Sequence, residues 1–182
     1  AAGLALATLI ITTGAMHEDG LADTADGFWG GWDKNHRLRI MKDSYMGTYG
    51  VVALVLSVGL RWQALTLILT TPHFWAMIPA AALISRTVMV PMMAALPNAR
   101  TEGLSHSVGR PTTQTALTAI APGILYLLAF SSLWLIIPAV AAPLMCATIA
   151  KAKIGGQTGD VLGATQQTTE IAILLTFAAW LS

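Results

Sequence analysis

Apolar runs near the ~20 residues that a bilayer core demands recur along the chain at 1–15, 47–70, 74–96, 115–130, 133–150 and 168–182. Read as helices, they predict an all-α, polytopic integral membrane bundle with about six transmembrane helices, forming a single domain over 1–182. The first run is short for a full crossing. It opens at Ala1 in mid-run with no charged segment before it, so it reads as the remainder of a longer membrane sequence and not as a signal peptide. The fourth and fifth runs are joined only by Ser131 and Ser132, which predicts a helical hairpin. Pro72, Pro79, Pro91, Pro122, Pro138 and Pro143 lie in or beside the runs, and kinks are expected there.

Composition fixes the solvent of these helices. Hydrophobic residues make up 55% and charged residues 10%, against roughly 25% charged in a soluble domain, so a lipid bilayer is the expected partner. Cys146 is the single cysteine; it excludes an internal disulfide and reads as a small buried hydrophobe. A net charge of +1 with no basic patch interleaved with aromatics gives no nucleic-acid partner.

Charge then orients the bundle. If the six runs alternate, the connections 17–46, 97–114 and 151–167 share one side, and they hold eight of the ten Lys and Arg and eight of the nine acids. By the positive-inside rule that side is cytoplasmic. The two remaining basic residues, Arg61 and Arg86, fall within spans, and Glu170 lies just inside the last. Arg61, beside Trp62 and Gln63, is expected to snorkel at the far end of a short second span. Arg86 near mid-span costs at least ~2.5 kcal/mol to insert, so it is expected to face the interior and meet an acid or a phosphate.

The candidate chemistry gathers on the same face. In His17-Glu18-Asp19-Gly20-Leu21-Ala22-Asp23-Thr24-Ala25-Asp26-Gly27, read as a helix, three aspartates fall at i, i+4 and i+7 on one stripe. Such like charges repel by tenths of a kcal/mol per pair in water, and a hard cation such as Mg²⁺ resolves the clash while keeping sites for phosphate oxygens. Asp19, Asp23 and Asp26 are therefore candidate metal ligands, with His17 two residues before the first of them. Lys42-Asp43-Ser44 precedes Gly47 and Gly50; Lys42 is a candidate phosphate contact, Asp43 a further metal ligand, and the glycines leave room for backbone or substrate. The stretch 97–104 adds Arg100, Glu102 and Gly103. Gly155, Gly156, Thr158 and Gly159 form a glycine-crowded loop before a helix, suited to a phosphate or nucleotide, and Asp160 and Glu170 give a second acidic helix end opposite the first.

These motifs, with Ser85-Arg86, Ala99-Arg100-Thr101-Glu102-Gly103-Leu104 and Gly155 to Ala164, together resemble cobalamin synthase, the adenosylcobinamide-GDP ribazoletransferase family of vitamin B12 assembly, over nearly the whole chain. The resemblance implies a bacterial or archaeal cytoplasmic-membrane enzyme. It would join adenosylcobinamide-GDP to α-ribazole or its 5′-phosphate, release GMP and use Mg²⁺. It further implies that Asp19, Asp23 and Asp26 hold the metal, that Lys42, Arg86 and Arg100 neutralise phosphate, and that Asp43, Asp160 and Glu170 serve a second metal or orient the attacking hydroxyl. His17 is a candidate for proton transfer or for a supporting role. Gln167 stands where many members are expected to carry Glu. A homo-oligomer is left open. A membrane phosphotransferase acting on CDP-activated lipids would use similar aspartates; a divalent-cation transporter ranks last, because the acids are expected at the cytoplasmic ends of the spans and not at mid-depth.

Overall fold

A computed structural model describes residues 1–130 and 132–181, and apart from one isolated bridge every regular element in it is helical. In chain order these are α1 (Ala2–Thr12), α2 (Met16–Gly30), α3 (Lys34–Ile40), α4 (Thr48–Ile68), α5 (Phe74–Thr87), α6 (Met89–Ala95), α7 (Leu104–Val108), α8 (Thr113–Ala129), a 3-10 turn (Leu133–Leu135), α9 (Ile136–Ile154) and α10 (Gly159–Leu181). Three stretches are long and apolar enough to cross a membrane: Thr48–Ile68, Phe74–Ala95 and Leu133–Ile154. Ala2–Thr12 and Thr113–Ala129 are shorter apolar helices. The sixth expected span is the apolar second half of α10, whose first half is polar. Of the expected hairpin link, Ser131 lies outside the described residues.

Outward faces stay apolar: Val55 and Leu56 on α4, Leu125 and Leu128 on α8, and Ile137 and Leu144 on α9 are all exposed. Such a continuous apolar exterior is stable in lipid and a liability in water. Pro91 lacks the amide that would bond the Thr87 carbonyl, and the helix is interrupted there, Val88 separating α5 from α6.

Two apolar cores form. The larger joins Leu6, Leu65, Ile68, Ile84, Leu127, Leu135, Ile173 and Phe177. The smaller joins Phe28, Met41, Met92, Ala150, Ile154 and Val161. Much of the stretch expected as a loop over 17–46 is helix instead, because α2 has neighbours to pack on. It runs antiparallel to α4, with Glu18 at the level of Arg61 and Asp26 at the level of Gly50. Its other face meets α10 at very short range: a Cβ at Gly20 would stand 2.8 Å from the Asp160 carbonyl oxygen. Only glycine lets the two polar helices approach this closely. Just ahead of α2, Ala15 takes a left-handed φ of 57°, a conformation that costs a non-glycine residue roughly 1 kcal/mol.

Candidate active site

The start of α2, the start of α10 and the 97–110 segment enclose a cleft of about 370 Å³. Asp19 and Asp160 line it from the two facing helices, with His17, Arg100, Thr158 and Gly159 beside them. Arg100 pairs with one of these acids: its Nη2 lies 3.1 Å from Asp160 Oδ2, while its Nε is buried without a hydrogen-bond partner. Thr158 donates its hydroxyl to Asp160 Oδ2 at 3.2 Å and accepts the amide of Val161, capping α10.

Asp23 follows one turn after Asp19. Burial, then the Asp19 and Asp160 carboxylates, push its carboxyl up to about 7, against relief from Arg100. Burial likewise raises Asp160. Three acids at one helix–helix contact thus hold more negative charge than Arg100 offsets. Among the described residues no three His, Cys, Asp or Glu side chains converge as a closed metal cage, but Mg²⁺ commonly takes only one or two carboxylates and completes its shell with water and phosphate oxygens. The donor set fits a hard cation arriving with a phosphate.

The raised pKa has a stability consequence. Between about 4 and about 7 the folded chain keeps a proton on Asp23 that the unfolded chain, at the ordinary 3.8, has lost. Stability from this group is therefore full below pH 4 and lost as pH rises through 7. In metal-free detergent solution the melting temperature is expected to fall from pH 5 to pH 8, and Asp23→Asn to flatten that decline; equal slopes in both proteins would refute this.

Other expected site residues are used differently. Asp26 does not face the cleft: its two oxygens accept the amides of Gly47 (2.7 Å) and Gly50 (2.9 Å), so it caps α4. The space left by those glycines is filled by this carboxylate, since a Cβ at Gly50 would come within 2.3 Å of Asp26 Oδ2. Asp43 is exposed and accepts the Tyr45 amide. Lys42 pairs with Glu102 at 2.8 Å in the open, in a neighbouring groove it shares with Arg39 and Arg100. Gly155 ends α9 with φ 77°, and Gly156 faces the Pro97 carbonyl where a Cβ would stand. The amides of Ala99 and Gln157 cross-bond these two loops. Gly155 thus ends a helix and Gly156 joins loop to loop, leaving Thr158 and Gly159 as the part of the motif that reaches the cleft.

Arg61, expected at the membrane edge, is instead 2% exposed at the centre of a polar network. It lies 13 residues into α4, roughly 20 Å from the helix start. Its Nη1 donates to Glu18 Oε1 (2.8 Å) and Gln167 Oε1 (3.0 Å), and its Nη2 is 2.9 Å from Glu170 Oε1. Arg86 Nη1 lies 3.4 Å from Glu170 Oε2 and donates to the Ala82 carbonyl at 2.8 Å. Gln166 donates to Glu170 (2.6 Å) and Ser85 (3.0 Å), Gln167 to Glu18 (3.0 Å), and Ser57 to Gln167 (3.0 Å). Glu170 is thereby committed to two guanidiniums and an amide, and Arg86 to an acid and a carbonyl; neither lines the cleft. Glu18 in the first turn of α2 and Glu170 at the start of the apolar half of α10 are both paired with arginines. His17 joins network to cleft, and burial together with Arg86 lowers its pKa, which favours the neutral imidazole.

Sequence reasoning passed over Glu18, Ser57, Ser85, Gln166 and the bonding role of Gln167. The available signal was spacing: Ser57 and Arg61 are an i,i+4 polar pair within the otherwise apolar α4, and Gln166 and Glu170 are an i,i+4 pair at the edge of the apolar run of α10.

The chain is 48% identical to an adenosylcobinamide-GDP ribazoletransferase of Bradyrhizobium diazoefficiens, over 99% of this chain and 71% of that protein. It is 47% identical to one from a Sinorhizobium species, over 96% and 71%, and 46% identical to one from Rhizobium meliloti, over 94% and 70%. No solved structure matches it. The cobalamin-5-phosphate synthase (CobS) family matches residues 1–178, and the chain belongs to that family.

Proposed function

We propose that this protein is an adenosylcobinamide-GDP ribazoletransferase that joins GDP-activated cobinamide to α-ribazole or its 5′-phosphate. The observation that carries the reading is the cleft in which Asp19, Asp160 and Arg100 meet between α2 and α10, in a chain so similar to relatives bearing that name.

In the reaction a ribose hydroxyl of the acceptor attacks the cobinamide-linked phosphorus. An O–P bond forms, the P–O bond to GMP breaks, and GMP leaves with the electron pair. Catalysis here is mainly positioning and charge stabilisation. Asp19 and Asp160, with Asp23 beside them, would hold Mg²⁺, which when bound supplies positive charge to the pyrophosphate. Arg100, which lines the cleft beside Asp160, meets charge developing on the departing GMP. Lys42 and Arg39 in the adjoining groove are placed to bind the outer phosphate. Neutral His17 lies at the cleft wall within reach of an acceptor proton.

The protein acts in the cytoplasmic membrane of a bacterium or archaeon, its cleft facing the cytoplasm. The support is the clustering of Lys and Arg in 17–46, 97–114 and 151–167, together with the apolar exterior of α4, α8 and α9.

The test is GMP release by the purified protein with adenosylcobinamide-GDP and α-ribazole. GMP is expected only when both substrates and Mg²⁺ are present, and EDTA is expected to abolish it. Absence of GMP from well-folded protein under every condition overturns the reading.

A further inference from the structure

Side chains of two chemical kinds line the cleft: Asp19, Arg100 and Asp160, and the apolar Met16, Met89, Met93 and Leu162, of which Met89 and Met93 stand one turn apart on α6. At the mouth of the cleft Leu104 and Val108 of α7 remain 65% and 69% exposed, an apolar rim without a protein partner among the described residues. Ser105 holds that rim in place by donating to Gln157 Oε1 at 2.6 Å.

Resting on the function proposed above, the geometry points to the α6 methionine pair as the acceptor subsite: Met89 and Met93 receive the flat aromatic base of α-ribazole, and the ribose hydroxyls reach Asp19, Arg100 and Asp160. Three observations converge. The volume of about 370 Å³ lies at the small end of ligand cavities; it suits one nucleoside and excludes a corrin macrocycle, which must remain outside with only its phosphate arm entering. Thioethers are polarisable and adaptable, and make favourable contacts with aromatic rings. The benzenoid edge of a dimethylated benzimidazole carries no hydrogen-bond donor or acceptor, so it loses nothing against Met89 and Met93. A guanine edge in the same place would leave its polar groups unpaired.

The subsite makes Met89 and Met93 specificity-determining residues, which separate kinetics can test. In Met93→Ala and Met89→Ala the KM for α-ribazole is expected to rise about tenfold, with the KM for adenosylcobinamide-GDP unchanged within about twofold, and Met93→Leu is expected to restore the acceptor KM. The wild type is expected to prefer the dimethylated base over an unmethylated benzimidazole riboside, and that ratio to shrink in parallel in the alanine variants. A rise confined to the KM for adenosylcobinamide-GDP would place guanine in the cleft and overturn the assignment, as would unchanged values for both substrates. Binding of α-ribazole, followed by its own fluorescence without the second substrate, separates the two layers of argument. Wild-type protein that binds α-ribazole in a Met93-dependent way but never releases GMP defeats the transferase reading and leaves the subsite standing. Wild-type protein that releases GMP with a KM indifferent to Met93 defeats the subsite alone.

Discussion

Arg61→Met is expected to cost about 3–5 kcal/mol of stability, because it leaves two buried acids short of a counter-charge. In the native network Glu18 and Glu170 face Arg61 and Arg86, two charges of each sign, and the neutral amide of Gln167 bridges Glu18 and Arg61 without disturbing that balance. With Arg61 gone, Glu18 retains only the amide of Gln167, and its other oxygen is already buried without a partner. The helix-level consequence is larger than one ion pair, since Arg61 ties α4 to both α2 and α10. The second variant makes the argument testable: Arg61→Met with Glu18→Gln restores one charge of each sign and is expected to recover more than half of the lost stability. Thermal unfolding in detergent measures both. A double variant no more stable than the single one would show that Arg61 acts through packing and not through charge.

This network also marks how far the fold could be read from the chain. The spans at Thr48–Ile68, Phe74–Ala95 and Leu133–Ile154 were legible because a bilayer imposes a length and a composition on every crossing helix. The helical spacing of Asp19, Asp23 and Asp26 was legible for a similar reason, since 3.6 residues per turn places them on one stripe. What spacing does not encode is which neighbour each carboxylate meets. That depends on α2 lying antiparallel to α4 and glycine-close to α10, a long-range result of packing. Hence Asp26 went to the amides of α4, Glu170 to the guanidiniums, and Arg61 to the interior, although each looked in isolation like a metal ligand or a membrane-edge residue. The glycine-crowded loop misled by the same route: a glycine needed for close loop contact and one needed to cradle a phosphate leave an identical mark in the sequence.

The aspartate stripe supplies the sharpest separation of roles. Asp19→Asn is expected to lower kcat for GMP release by about 10²–10³ while leaving the melting temperature within a degree or two, because Asp19 lines an open cleft and its side chain caps no helix. The substitution preserves shape and removes one unit of negative charge where a divalent cation and a pyrophosphate are to be gathered. Asp26→Asn is expected to do the reverse. An asparagine has one acceptor oxygen where Asp26 uses two, so one of the amides of Gly47 and Gly50 would face an NH₂ group instead. That loss should cost about 1–3 kcal/mol of stability and leave turnover per folded molecule nearly intact. Measuring GMP release and thermal unfolding on both variants decides the matter: if Asp26→Asn abolishes turnover at unchanged stability, the cap of α4 is itself part of the reaction centre, and if Asp19→Asn keeps its turnover, the phosphate chemistry does not pass through the cleft between α2 and α10.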